Sequence, residues 1–109
     1  MNIFKFLNNG KSSFPSMDIN QVDTLENPFL LDVREPDETA EGIIEGAHLI
    51  PLGQLPDEMD HLPKDDVIYV ICRSGNRSGK ACALLSSQGF QCVNMTGGMM
   101  NYTGPTIRG

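Results

Sequence analysis

The clearest chemical signal in the sequence is a cysteine followed by a short segment that holds two arginines and a glycine. A thiol becomes a nucleophile where cations and backbone N–H groups stabilise its thiolate. Arginine side chains supply the cations, and glycine permits the tight turn that brings successive N–H groups together. We therefore predict a catalytic nucleophile at Cys72, with a small anion held by the residues that follow it, namely Arg73, Ser74, Gly75, Asn76, Arg77 and Ser78.

The segments on either side of Cys72 predict a strand, a tight loop and a helix. Val67 to Ile71 are five consecutive apolar residues, which is typical of a strand buried in a parallel sheet. From Gly79 the apolar residues follow helical spacing, and Gly89 ends that pattern. Ligands of open parallel sheets bind beyond the carboxyl ends of the strands, where Cys72 is expected with a helix amino terminus behind it. The alternative is a buried structural thiol beside two solvated arginines.

Length and composition fit one globular domain. The chain has 109 residues, enough for one core and too few for two. Its net charge of -6 argues against nucleic acid and against an anionic membrane surface as partners. No run approaches the ~20 apolar residues that span a bilayer, and the first residues do not resemble a signal peptide. Three cysteines without a C-x-x-C pair predict neither disulfides nor a metal site, so we expect a cytoplasmic protein with reduced thiols.

The rest of the chain predicts strands that alternate with helices. Residues 1–15 have the composition of a partly ordered amino-terminal arm, and the domain is expected over residues 16–109. Further strands are predicted at residues 16–19, 29–33, 48–50 and 89–95, and short helices at residues 20–25, 38–43 and 55–62. We therefore expect an α/β three-layer sandwich with a central parallel sheet of four to five short strands and helices on both faces.

Three other polar residues are candidates for supporting the site. Asp32 and Arg34 follow a predicted strand, so they would lie at the same end of the sheet as Cys72. They could orient the reactive loop through charge-assisted hydrogen bonds, but an ion pair that fixes their own loop is the favoured interpretation. His48 is the nearest candidate for a general base, although a histidine beside apolar residues is more often a packing residue.

Four motifs in the same order resemble the rhodanese domain, a family of sulfurtransferases, over residues 16–102. Residues 30–36, Leu-Leu-Asp-Val-Arg-Glu-Pro, resemble the family's first signature, and residues 42–51 resemble its Gly-x-x-x-Gly-Ala segment that leads to Ile-Pro. Residues 72–77 resemble its active-site loop, and residues 97–99, Gly-Gly-Met, its closing motif. The resemblance implies a rhodanese-like three-layer sandwich around a parallel, usually five-stranded sheet.

The resemblance implies sulfur transfer at Cys72. Its thiolate would attack the outer sulfur of a donor such as thiosulfate, release sulfite, and hold the sulfur as a persulfide that a thiol or cyanide then takes. Arg73 and Arg77 would bind the sulfonate end of the donor, and the amides of residues 73–78 would stabilise the negative sulfur. No metal or organic cofactor is implied. The implied partners are a small anionic sulfur donor and a thiol acceptor, with a sulfur-relay protein as a further candidate.

Two other functions stay open beside a thiosulfate sulfurtransferase. A carrier module would receive the persulfide from a partner such as a cysteine desulfurase and pass it on, with little turnover of free thiosulfate. A cysteine phosphatase or arsenate reductase also attacks from a cysteine in a loop before a helix, but such loops resemble Cys, five residues, Arg. Here Arg77 follows Cys72 after only four residues, and the narrower loop leaves less room for a tetrahedral oxyanion.

Overall fold

A computed structural model of the chain describes residues 14–109, in which five parallel strands form one sheet. The strands are β1 (Ser16–Asp18), β2 (Phe29–Asp32), β3 (His48–Leu49), β4 (Val67–Ile71) and β5 (Gln91–Thr96). Their order across the sheet is β1-β5-β4-β2-β3, and each neighbouring pair is parallel. β4 is therefore the central strand, and Cys72 follows its carboxyl end as the sequence predicts.

Short helices connect these strands. The α-helices are α1 (Pro36–Thr39), α2 (Leu55–Glu58), α3 (Asn76–Ser87) and α4 (Gly98–Asn101), and 3-10 helices span Ile19–Thr24, Leu52–Gln54 and Met59–His61. The longest of them, α3, is the helix that follows Cys72. Among residues 14–109, no helix is both long and apolar enough to cross a membrane.

Two apolar cores lie on opposite faces of the sheet, because successive side chains of a strand point to alternate faces. On β4, Ile68 and Val70 pack in a core that includes Leu85 of α3. Ile71 packs in a second core on the other face, together with Ile19 of the first 3-10 helix. All five side chains are fully buried, and each contributes about 1.5–3 kcal/mol by leaving water. The predicted α/β three-layer sandwich with a parallel sheet is thereby confirmed.

The helix after Cys72 begins three residues earlier than predicted. It starts at Asn76 rather than Gly79, because Gly75 adopts a left-handed conformation with a φ of 100° and turns the chain directly into the helix. Arg77 and Ser78 consequently lie in the first turn of α3 and not in the loop. From this first turn the Ser78 side chain reaches the Cys72 sulfur, and the Arg77 side chain reaches Glu38.

Other element boundaries also differ. The predicted helix over residues 55–62 is divided into α2 and the 3-10 helix Met59–His61. The helical turn predicted at residues 38–43 lies instead at α1, where Pro36 occupies the first helical position, which suits its fixed φ. The helix α4, which begins at the second glycine of the closing motif, Gly98, was not predicted.

The predicted amino-terminal arm lies mostly outside the described residues. Of its last two members, Phe14 packs against the core that contains Ile68, and the Pro15 carbonyl oxygen accepts a 2.9 Å hydrogen bond from the Asn94 N–H. These two residues therefore pack with the domain, ahead of the boundary expected at residue 16.

Candidate active site

The Cys72 sulfur lies within a ring of hydrogen-bonding groups at the carboxyl end of β4. The Gly75 backbone N–H donates to the Cys72 Sγ at 3.0 Å, and the Ser78 Oγ lies 3.3 Å from the same sulfur. Both groups come from the turn into α3, so the positive end of that helix also faces the sulfur. Cys72 has 0% of its surface exposed, so the groups that surround the sulfur must move before a donor can reach it.

These contacts lower the pKa of the Cys72 thiol. Burial of the sulfur is the largest single influence, and it raises the pKa because the thiolate loses its water. Hydrogen bonds from the Ser78 hydroxyl and from the N–H groups of Ser78, Gly75 and Ser74 stabilise the thiolate and together outweigh burial. Cys72 therefore ionises more readily than an ordinary cysteine, as a nucleophile near neutral pH requires.

Asn94 of β5 holds both the helix and the turn that surround the sulfur. Its side chain is almost entirely buried. While Cys72 is protonated, its thiol donates to the Ser78 Oγ and the Ser78 Oγ–H donates to the Asn94 Oδ1, so stabilising the thiolate requires that single hydroxyl proton to turn to the sulfur. The Asn94 Nδ2 donates to the Gly75 carbonyl oxygen at 3.2 Å. A single asparagine thus fixes the two residues that contact the Cys72 sulfur, which makes it a positioning residue for the site.

The short helix α4 supports the loop from behind. The Met99 N–H donates to the Cys72 carbonyl oxygen and the Met100 N–H to the Arg73 carbonyl oxygen, each at 2.9 Å. Gly98, which precedes them, has a φ of 61°, and a Cβ there would overlap the Arg73 carbonyl oxygen. Glycine is therefore required at this position for the two chain segments to approach.

Arg77 is paired with a carboxylate that the sequence analysis did not single out. Its Nη1 and Nη2 donate to the Oε1 and Oε2 of Glu38, both at 2.7 Å. The hydrogen bond to Arg77 lowers the pKa of Glu38 to about 2, and the same contact raises the pKa of Arg77. Arg73 differs, because its side chain is exposed and forms no ion pair within the described part of the chain.

Asp32 and Arg34 form a buried ion pair. The Arg34 Nη2 donates to the Asp32 Oδ2 at 2.8 Å, and the Arg34 Nε donates to the Asp32 Oδ1 at 3.0 Å. The same Nη2 donates to the Gly42 carbonyl oxygen at 2.9 Å, which ties together the loop after β2. Within residues 14–109, neither side chain is hydrogen-bonded to residues 72–78. Their contacts are thus those of a pair that fixes its own loop.

The remaining candidate residues have structural contacts. The His48 ring stacks on the Phe29 ring, with centroids 4.3 Å apart and an angle of 5° between the planes. Cys82 and Cys92 are buried next to each other, and the Cys92 Sγ lies 3.4 Å from the Cys82 carbonyl oxygen. A hydrogen bond to Cys92 and burial raise the pKa of the Cys82 thiol, so it stays protonated and unreactive.

One cavity of the domain is remote from the cysteine site. A cavity of about 640 Å³ lies at the amino ends of β4 and β5, and Phe14, Tyr69 and Phe90 are among its lining residues. Cys72 lies at the opposite end of the sheet, after the carboxyl end of β4. Among residues 14–109, no cluster of three or more His, Cys, Asp or Glu side chains is suited to hold a metal ion.

Comparison with known proteins agrees with the fold. The model of the rhodanese-like domain matches residues 18–104. The chain is 45% identical over 86 residues to "Putative sulfurtransferase YtwF" of Bacillus subtilis, covering 79% of this chain and 84% of that protein. It is 38% identical over 100 residues to "Putative sulfur carrier protein YrkF" of the same organism, covering 87% of this chain and 54% of that protein.

A solved structure gives the same result at the level of the backbone. The crystal structure of a rhodanese-like domain protein from Staphylococcus aureus superimposes with a TM-score of 0.80 at 30% sequence identity, covering 88% of this chain and 99% of that one. The chain therefore belongs to the rhodanese-like domain family, and the resemblance drawn from its motifs is confirmed.

Two residues of the site were missed by reasoning from the sequence. Asn94 carries a local signal, because it is a polar residue between Val93 and Met95 in a strand that is otherwise apolar at those positions. Glu38 carries no such signal, since it lies among several acidic residues and its contact with Arg77 depends on how α1 packs beside α3.

Proposed function

We propose that the protein is a sulfurtransferase that carries a sulfur atom as a persulfide on Cys72. The Cys72 thiolate attacks the outer sulfur of the donor, and the donor's sulfur–sulfur bond breaks. The bonding electron pair leaves with sulfite when the donor is thiosulfate, or with a thiolate when the donor is a persulfide. An acceptor thiolate, or cyanide, then attacks the outer sulfur of the Cys72 persulfide and regenerates the thiolate.

The observation that carries this proposal is the 3.0 Å hydrogen bond from the Gly75 N–H to the Cys72 sulfur. Together with the Ser78 hydroxyl, it stabilises negative charge at the position where the thiolate forms and re-forms. The ring is tight around a single sulfur atom. It suits the narrow end of a sulfur–sulfur donor better than the tetrahedral oxyanion of a phosphatase or arsenate reductase.

A carrier role is the second candidate, in which a partner protein loads Cys72 and a second protein unloads it. Two observations favour the carrier role. Cys72 is completely buried, and the chain is similar to a protein named as a sulfur carrier. The chemical step on Cys72 is the same in both roles. They differ in whether free thiosulfate is turned over at a useful rate.

Intact-mass spectrometry after exposure to a donor tests the proposal. We expect one added sulfur, about 32 Da, that maps to the peptide containing Cys72 and disappears on addition of a thiol. Cys72→Ser should abolish the addition, whereas Cys82→Ser and Cys92→Ser should retain it. Equal loss in all three variants, or sulfur on another peptide, would reject the assignment. Steady turnover of thiosulfate would then favour the enzyme, and loading only from a cysteine desulfurase would favour the carrier.

A further inference from the structure

The contact between Glu38 and Arg77 is fixed before any ligand binds. Two nearly identical hydrogen bonds join the carboxylate to the guanidinium, a geometry that is stronger than a single-point contact. The Glu38 Oε1 also accepts a 2.9 Å hydrogen bond from the Glu35 N–H, as part of the capping box of α1. The carboxylate therefore stays beside Arg77 without having to be ordered by a substrate.

The charges around the sulfur are unfavourable for a small dianion. Arg77 is neutralised by Glu38, so Arg73 is the one arginine of residues 72–78 that has no carboxylate partner in the described part of the chain. On and beside α1, the side chains of Glu35, Asp37 and Glu41 are exposed and form no ion pair with residues 14–109. An anion that approaches the site past α1 meets more uncompensated negative charge than positive charge.

We infer that Glu38 determines which sulfur donors the site accepts, by occupying the Arg77 guanidinium and so selecting persulfide groups, which carry at most one negative charge, over the thiosulfate dianion. To use Arg77, thiosulfate must displace the carboxylate or bind next to it, and either event opposes binding. A persulfide, R–S–SH, delivers the same outer sulfur without a sulfonate. The Cys72 thiolate forms the new sulfur–sulfur bond, R–S⁻ leaves with the electron pair, and the proton stays on the transferred sulfur.

This inference rests on the proposed persulfide chemistry of Cys72. One experiment tests the selection of donors by Glu38 separately from that chemistry. The rate constant for adding sulfur to Cys72 is measured by intact mass for two donors. One is thiosulfate, and the other is 2-hydroxyethyl persulfide, generated in place from the corresponding disulfide and sulfide. The quantity compared among variants is the ratio of the thiosulfate rate constant to the persulfide rate constant.

Glu38→Gln is the informative variant, because glutamine keeps the acceptor for the Glu35 N–H while removing the charge. We expect it to raise the ratio about tenfold, the equivalent of roughly 1.4 kcal/mol. Asp37→Asn is the matched control, since it removes a charge from the same helix at an exposed side chain that does not contact Arg77. It should change the ratio less than twofold. In the double variant Glu38→Gln/Arg77→Gln, the ratio of the thiosulfate to the persulfide rate constant should return to its wild-type value.

Each other outcome overturns the inference. An unchanged ratio in Glu38→Gln would show that the carboxylate does not select the donor. An equal rise in Asp37→Asn would show a general effect of net charge, and a gain that persists without Arg77 would remove the proposed anion contact. Glu38→Ala repeats the comparison if the glutamine variant does not fold. Failure of both donors to modify wild-type Cys72 would also overturn the inference, and only the further failure of a cysteine desulfurase to load Cys72 would refute the proposed function itself.

Discussion

The Met99 N–H donates a 2.9 Å hydrogen bond to the carbonyl oxygen of Cys72, so the helix after the last strand holds the backbone of this cysteine. This bond and the parallel one from Met100 to Arg73 direct two loop carbonyl groups away from the sulfur. The N–H groups of the following residues are then free to point towards it. The closing glycine motif is in this way a structural part of the cysteine site.

Gly98→Ala should disrupt this arrangement. The new Cβ would overlap the Arg73 carbonyl oxygen, and alanine is also strained at a φ of 61°. We expect a loss of at least about 2 kcal/mol in the free energy of unfolding, measured in urea, with slower sulfur addition to Cys72. Gly53→Ala is the control, because a Cβ there has nothing within 4 Å, and it should stay within about 0.5 kcal/mol of wild type.

Ser78→Ala should raise the pKa of the Cys72 thiol, because the hydroxyl is one of the groups that stabilise the thiolate. The pH profile of alkylation by iodoacetamide reports this pKa, and its midpoint should move up by about one pH unit. Ser74→Ala is the matched control in the same loop, since Ser74 acts on the sulfur through its backbone N–H. A midpoint that moves equally in both variants would contradict the role given to the Ser78 hydroxyl.

The Glu38–Arg77 pair should make stability depend on pH in acid. The pKa of Glu38 falls from an unfolded value near 4.5 to about 2, so the folded state binds the proton less tightly than the unfolded state. The contribution is therefore complete above about pH 4.5 and is lost as the pH falls towards 2. We expect Glu38→Gln to cost about 1 kcal/mol at pH 7 and almost nothing near pH 2. A cost independent of pH would contradict this assignment.

Asp32→Asn should destabilise the fold strongly. Arg34 is buried, and its guanidinium would lose the carboxylate that compensates its charge. Removing one partner of a buried pair costs about 3 kcal/mol or more in the free energy of unfolding. Asp66→Asn changes an exposed carboxylate and is the control. If both variants unfolded at the same urea concentration, the Asp32–Arg34 pair would not be a stabilising element of the loop after β2.

The parts of the site that follow one another along the chain were predictable from local patterns. The strand Val67–Ile71 matches its predicted bounds, because five consecutive apolar residues strongly favour burial within a parallel sheet. Its polar, glycine-containing continuation identified Cys72 as the residue at the end of the strand. Only the start of α3 differed, since helical periodicity of apolar residues becomes visible a turn after the backbone has begun to coil.

The contacts between distant residues were not predictable in this way. Arg77 was expected to bind a donor because it is a cation close to a cysteine, and that role stays a prediction. Its partner Glu38 is 39 positions away, and which of several neighbouring acids it meets depends on the packing of α1. Asn94 likewise contacts Ser78 and Gly75 only because β5 lies beside β4.

The parallel sheet has a consequence for how fast the chain folds. Within residues 14–109 each pair of neighbouring strands is parallel, so no tight hairpin is available to form first. The pairing of β1 with β5, which places Ser16 beside Asn94, closes a long segment of chain that contains the other three strands. Such long-range pairing slows the search for the native topology, and we expect refolding on the scale of milliseconds to seconds rather than microseconds.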